Sequence, residues 1–530
     1  MESLKLSQAG VVVEPSRDNV AVAKNDLPEG LTLDVSPSQR LRLNGSVRRA
    51  FRFALKDIPS GAPIIQYGWP IGVSKGIRAG DPVVTANMEN TRVDIKDFVV
   101  QASSLPEGGR QDACTTNPWR PETAGLASTF DGFVRPDGRT GIRNWILIAP
   151  NSMCASHESS QISMRSEFML WSREKFPNVD GVTATPHDKG CGCTDGTNID
   201  LVLNTVAQYV SHPNVGAAVI LELGCEKTNL AAMERYLGKP LDKWGKPVIV
   251  LSVQKLGGTE PTIRAGLEAV ERLLPEVNKI ARTPQSVSQL SIGLKCGGSD
   301  AFSGLTANPS LGVASDILVA MGGTSMFTEV PEMAGCEEKL KRQAVSPAAA
   351  QEIEAAIKWY DDFTARYGHT AFENPSPGNK DGGLVNILVK SLGAVAKAGR
   401  APIQGVTPHS VAPKRPGLWI MQGPSYDQLS TPALIAAGAH TVLFTTGRGT
   451  TIGNAIAPVI KISSNTEIFQ RMNGDIDVDA GTILENLETR EHVGRRIFEE
   501  IVAVASGKPA KAEKNHHREF QIWSEQSVAL

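Results

Sequence analysis

The chain reads as an α/β protein carrying a small all-β domain at its N-terminus. Three observations predict this. From Phe133 onward, short apolar runs alternate with helical stretches, the signature of α/β architecture. The first 90 or so residues instead alternate short β-rich runs with turns. At 530 residues the chain exceeds one ordinary core, so two or three domains are expected.

In the N-terminal region, taken as residues 1–92, Asp26-Leu27-Pro28-Glu29-Gly30 recurs as Asp57-Ile58-Pro59-Ser60-Gly61. Proline pre-sets the turn and glycine supplies positive φ, so both read as turns between strands. Ile77-Arg78-Ala79-Gly80 echoes them with the glycine alone. Strands are predicted over 20–23, 51–55 and 63–66. Residues 93–130 hold turn chemistry without periodicity and read as a linker, in which Cys114 is expected to have no chemical role.

The body divides, on composition, into residues 131–372 and 373–530, two α/β domains split at the glycine- and proline-rich section from Glu373 to Gly383. Strands are predicted over 145–149, 217–223, 248–253, 291–294, 419–421 and 441–444, with helices over 199–210 and 347–365. The second helix has Ser346 as N-cap and Pro347 at its first position. The charged last 25 or so residues are expected to pack as an extended tail.

The composition is that of a soluble globular protein, 41% apolar and 21% charged. A net charge of −2, with both signs interspersed, gives no electrostatic reason for a nucleic-acid or membrane partner. No apolar run approaches the roughly 18 residues of a membrane span, and the N-terminus lacks the apolar core of a secretory leader. Seven cysteines are few and odd in number, which argues against a disulfide framework and for a reducing, cytoplasmic setting.

The chemistry is expected where strands end. The run 145–150 leads to Cys154. The run 179–185 leads to His187 and Cys191-Gly192-Cys193, 217–223 to Gly224-Cys225-Glu226, and 291–294 to Cys296-Gly297-Gly298-Ser299-Asp300. Ligands of open α/β sheets bind outside the carboxyl ends of strands, so Cys154, Cys191, Cys225 and Cys296 are expected to line one crevice. Thiolates there suit iron or an iron–sulfur cluster. A free cysteine is also a common small core residue, and Cys191 and Cys193 could form a redox pair, although their spacing is not CxxC. Arg448, in Thr446-Gly447-Arg448-Gly449-Thr450, can grip a carboxylate bidentately or form a surface ion pair. Glu329 reads as a site acid or a solvated loop acid, His187 as a base or a structural histidine, and residues 373–380 as a rigid polar loop or a connecting turn. Neither glycine cluster forms GxGxxG, and no GxxxxGK[ST] occurs, so no nucleotide signature is present.

Taken together, these strings resemble the altronate/galactarate dehydratase family over nearly the whole chain. In the N-terminal module, Asp18-Asn19-Val20-Ala21-Val22-Ala23 and Tyr67-Gly68-Trp69-Pro70-Ile71-Gly72 resemble that family's SAF-type β-clip domain. In the body, the resemblance runs through Arg135 to Asn144, Gly224-Cys225-Glu226, Cys296 to Asp300, Thr306-Ala307-Asn308-Pro309, Thr328-Glu329-Val330, Glu373 to Lys380 and Thr446 to Thr450. It implies elimination of water from an aldonate or aldarate to a 2-keto-3-deoxy acid, with iron required, in an enzyme expected to be a homo-oligomer whose partner is the small sugar acid. On that basis the metal falls to Cys154, Cys191, Cys225 and Cys296. Substrate binding falls to Arg448, Asn379, Ser299 and Asp300, and catalysis to His187, Lys380 and Glu329. Altronate-type members resemble one another in a histidine just before Asp-Asn-Val and a His-rich string late in the β module. Here those places hold Pro15-Ser16-Arg17 and Pro82 to Asn87, which weakens altronate more than dehydration. Two alternatives stand beside this reading: elimination of sulfite, as from sulfolactate, and a non-catalytic sugar-acid-binding protein.

Overall fold

The computed structural model describes residues 3–89 and 119–525. Cys114 and residues 93–118 of the expected linker lie outside the described residues.

The N-terminal region is all-β, with the three expected strand sites at Val20–Ala23, Arg52–Ala54 and Pro63–Gln66. The first two are neighbours in an antiparallel four-stranded sheet, and the third forms a hairpin with Trp69–Ser74. Gly30, Gly61 and Gly80 have φ of +78°, +81° and +86°. The third turn is thus as demanding as the other two: a Cβ on Gly80 would stand 2.0 Å from the Arg42 carbonyl oxygen.

Two all-parallel sheets form the body. The first comprises β1 (Trp145–Pro150), β2 (Gly181–Ala184), β3 (Val215–Glu222) and β4 (Val248–Ser252), in spatial order β2-β1-β3-β4. The second has seven strands: β5 (Ser291–Cys296), β6 (Thr324–Phe327), β7 (Ile403–Thr407), β8 (Gly417–Met421), β9 (Thr441–Thr446), β10 (Val459–Ser463) and β11 (Val478–Asp479). Their order is β7-β8-β6-β5-β9-β10-β11. Every residue of β1, β9 and β10 is buried, as strands covered on both faces must be, which is why β1 and β9 read as unbroken apolar or β-branched runs and β10 departs only at Lys461 and Ser463.

The sheets change between Ser252 and Ser291, not at the composition change expected at Glu373. The glycine- and proline-rich stretch is a connection within the second unit, because β5 and β6 precede it and lie in the middle of that unit's sheet. Helix Pro347–Ala365 belongs there too. Ser346 Oγ accepts from the Ala349 amide at 3.2 Å, and Ala349, Ile353, Ala356, Ile357 and Tyr360 form its buried stripe.

The units are locked at the seam and at the N-terminal domain. Asn214 donates to the His440 carbonyl, and His440 Nε2 to the Thr140 carbonyl at 2.8 Å. Arg52 is fully buried and donates to Gln66 and to the Gly383 carbonyl, while Val22 and Ala50 pack on Ala301, Phe302 and Leu305. This seats the β domain over the carboxyl edge of the second sheet. The tail is extended after Lys514 and buries Phe520, Ile522 and Trp523. No helix of the described residues is long and apolar enough to cross a membrane.

Candidate active site at the carboxyl edges of the two sheets

Each sheet reverses its winding once, and chain entering such a reversal leaves a crevice outside the strand ends. In the first sheet the reversal lies between β1 and β3, and in the second between β5 and β9. Nearly all the residues expected to act stand at one of these two places.

At the first edge, Cys154 follows β1, Cys191 follows β2 and Cys225 follows β3, and all three thiols are exposed. Their loops touch: the Met153 amide donates to the Lys189 carbonyl at 2.7 Å, and Cys191 Sγ lies 3.9 Å from the Cys225 carbonyl oxygen. Gln254 Nε2 is 3.6 Å from Cys225 Sγ. Cys193 packs instead against the apolar core, so the pair diverges. Asn151 Oδ1, Ser152 Oγ and Glu226 Oε1, on the same loops, are buried without a hydrogen-bond partner among the described residues.

His187 braces this edge. Its Nε2 donates to the Pro150 carbonyl at 3.0 Å, and its Nδ1 accepts from the Lys189 amide at 3.2 Å. Burial lowers its pKa, opposed by the Pro150 carbonyl, so the ring is neutral. With both nitrogens engaged, it has none left for a substrate proton. Such bracing of strand-end loops is the structural role open to this residue type.

The second edge has the opposite character. Cys296 is the exception to the expected convergence of four thiols: it closes β5 of the other sheet and is buried. Glu329, with φ +72° and ψ 46°, holds a left-handed backbone that a non-glycine residue adopts only when its surroundings enforce it. Its carboxylate accepts from Lys295, and from Lys397 at 2.7 Å. Lys295 also meets Asp427 at 2.8 Å, Lys390 meets Glu332 at 2.8 Å, and Lys397 Nζ is 3.5 Å from Cys296 Sγ. Burial opposes the charged form of Glu329, but the two ammoniums outweigh it and hold the carboxyl below its ordinary pKa. Burial likewise opposes the Lys295 ammonium, yet Asp427 and Glu329 hold its pKa high. Burial, with Glu329 beside it, pushes the Cys296 thiol up to about 11.

Cys296, Glu329 and Glu332 form a possible metal-holding group, with ligand atoms within 4.8 Å of one another. The donor chemistry argues against filling it. Lys295, Lys397 and Lys390 already pair with Glu329, Glu332 and Asp427, so a divalent ion would have to compete with three ammoniums for these carboxylates, among whose buried oxygens Glu332 Oε2 alone lacks a hydrogen-bond partner among the described residues. The exposed thiols of the first edge are soft donors, and their loops also carry buried polar atoms without partners among the described residues.

Between the β domain and the loops that follow β5, β9 and β10 lies a polar cavity of about 240 Å³ lined in part by Arg448, Arg471, Asp381 and Arg49. Arg448 is exposed there, with no ion-pair partner among the described residues. Its loop is pinned because the Gly447 and Arg448 amides both donate to the Gly298 carbonyl. A Cβ on Gly447 would stand 2.1 Å from Asp300 Cγ, so only glycine allows this approach. Asp300 is buried, and accepts from Ser303, Ser464 and Asn465. Burial raises its pKa against those donors. It fixes the loop from beneath. Asn379 donates to the Ser299 carbonyl at 2.9 Å and accepts from Lys390 at 3.1 Å, while Ser299 Oγ is buried and unpartnered among the described residues. Lys380 is exposed on the short helix Pro377–Asp381, whose Gly378 borders Arg448 Nε.

The C-terminal tail passes both sheets: its Phe520 ring lies 6.3 Å from the His187 ring, and its Trp523 ring 4.8 Å from that of His409, beyond β7. Sequence reasoning missed Lys295, Lys390, Lys397, Asp427 and Arg49. The signal for the lysines was present, because Lys295 interrupts an apolar strand and Lys390 and Lys397 recur seven residues apart in an otherwise apolar segment.

Three family profiles match the chain. The altronate/galactarate dehydratase SAF domain covers residues 9–91, the D-galactarate dehydratase/altronate hydrolase second domain covers 132–278, and the D-galactarate/altronate dehydratase C-terminal domain covers 287–528. The last two meet where the sheets change. Altronate dehydratase of Escherichia coli is 34% identical over 509 residues, 96% of this chain and 97% of the relative. Galactarate dehydratase (L-threo-forming) of Escherichia coli is 34% identical over 497 residues, 93% and 92%. (2R)-sulfolactate sulfo-lyase subunit beta of Chromohalobacter salexigens is 30% identical over 400 residues, 74% of this chain and 97% of the relative.

Proposed function

The chain belongs to the D-galactarate/altronate dehydratase family, and from that premise we propose that it eliminates water from an aldonate or aldarate to give a 2-keto-3-deoxy acid. One observation supports this reading most: Arg448, without an ion-pair partner among the described residues, stands in a polar cavity of sugar-acid size at the reversal point of the larger sheet.

In the reaction the C2–H and C3–OH bonds break, water leaves, and the resulting enol becomes the 2-keto acid. Arg448 binds the carboxylate next to C2, which draws electron density from the acidic carbon. Lys380, on the short helix whose Gly378 borders Arg448, carries the proton at its Nζ, the role that His187 is not free to take. Lys295, Lys397 and Glu329 form a fixed, internally paired charge layer, and Lys390 beside it holds the Asn379 loop through a 3.1 Å hydrogen bond to Asn379 Oδ1. Cys154, Cys191 and Cys225 would hold iron. Iron bound there supplies a Lewis acid for an otherwise reluctant carbon acid.

The test is keto-acid formation by anaerobically purified protein from aldonates and aldarates, with Lys380→Ala and His187→Ala beside the wild type. Lys380→Ala is expected to lose about 100-fold in kcat, the usual share of a general acid or base. His187→Ala is expected to act through stability. A loss under about threefold in Lys380→Ala removes the assignment. Likeness to a sulfo-lyase subunit supports a second reading, elimination of sulfite from a sulfonated hydroxy acid, which release of sulfite would reveal.

A further inference from the structure

The cavity beside Arg448 is not closed by the body alone. One wall comes from the N-terminal β domain, through Arg49 and Ala50. That wall is rigid. The Arg49 amide donates to Asp26 Oδ1 at 2.7 Å and the Ala50 amide to the Ala23 carbonyl at 2.8 Å. Ala50 has φ +72°, a left-handed conformation that a non-glycine residue keeps only when held there. Its carbonyl presses on Gly383, where a Cβ would stand 2.3 Å away. The Arg49 guanidinium rests 5.0 Å from the centre of the Phe302 ring.

The partner of Arg49 is replaceable. Its Nη1 meets Glu467 Oε2 at 2.9 Å, but both side chains are substantially exposed, and such pairs are weak. Glu467 has an alternative partner on its own helix, Arg471, whose Nη1 lies 3.9 Å from the other carboxylate oxygen. Arg49 is therefore a cation that an incoming anion can take from Glu467 while Glu467 keeps a countercharge.

We propose that Arg49 is a specificity-determining residue, contributed by the β domain, that binds the second carboxylate of an aldarate while Arg448 binds the first. This inference rests on the reading of the cavity as the substrate site. Three arginines line the cavity, Arg49 from the β domain and Arg448 and Arg471 from the body; with Arg471 left to Glu467, Arg49 and Arg448 suit an acid charged at both ends. An aldonate carries a hydroxymethyl group at its far end, which can neither displace Glu467 nor form the ion pair.

The experiment is calorimetric binding of galactarate and galactonate, which differ only in whether carbon 6 is a carboxylate or a hydroxymethyl, to the full-length, iron-loaded protein. Wild type should bind galactarate more tightly. Arg49→Ala should weaken galactarate by about tenfold or more, the worth of a hydrogen bond to a charged group, and change galactonate much less. Glu467→Gln, which removes the competing carboxylate and leaves Arg49 in place, should tighten galactarate. Arg448→Ala should weaken both acids. Equal effects of Arg49→Ala on the two acids, or no tightening in Glu467→Gln, would overturn the role of Arg49 alone. If Arg448→Ala leaves both affinities unchanged, or wild type binds neither acid, the substrate-site reading itself falls.

Discussion

The carboxyl edges of the two sheets occupy the same topological position and have opposite chemistries. At the four-stranded sheet, three thiols are exposed on touching loops that also carry buried polar atoms without partners among the described residues. At the seven-stranded sheet, a buried thiol lies within three ammoniums that carboxylates have already neutralised. One edge offers ligands and the other has spent its charges on itself. The compact group at Cys296 shares its carboxylates with three ammoniums, whereas the looser thiols of the first edge stand exposed.

The largest expected effect breaks this contrast from the ionic side. Glu329→Ala takes the carboxylate from buried Lys397 and leaves buried Lys295 with Asp427 alone, and a loss of about 3–5 kcal/mol in unfolding free energy by denaturant titration is expected. A change under about 1 kcal/mol would mean that the layer is not a closed network. Next, Cys225→Ser should lower bound iron in anaerobic preparations and reduce turnover by about 100-fold or more, while Cys296→Ser should retain the iron. The reverse pattern would move the metal to the ionic edge. The third effect separates that edge from the histidines around it. Burial is the main reason that His409 and His440 have pKa values lowered to about 4. An unfolded histidine titrates near 6.5, so their contribution is complete above that pH and is lost as pH falls toward 4, on the order of 3 kcal/mol each. Glu329 titrates below its ordinary carboxyl range, so the ionic layer should outlast them. Melting temperature should therefore fall between pH 6.5 and 4, less steeply in His440→Gln; a flat profile would contradict the buried neutral histidines.

Much of the fold was legible because local rules and tertiary packing agree. Pro-Gly turns reappear at Gly30 and Gly61, the Ser346-Pro347 start caps its helix, and buried parallel strands appear as apolar runs. Glu373 misled because glycine and proline mark a break in regular structure without saying whether it separates sheets. The linear order of Cys154, Cys191, Cys225 and Cys296 likewise showed that each ends a strand, but not that the fourth belongs to another sheet.

The sequence by itself determined the strand-end placement of the reactive residues, since periodicity and turn chemistry act over a few neighbours. Only the tertiary structure decided which of them share an edge, which are buried, and which charges are already paired. His187 is occupied, Lys397 reaches Glu329 from a distant helical segment, and Arg49 arrives from another domain. Pairing, burial and ionisation depend on distances between segments far apart in the chain, and those distances are set by packing.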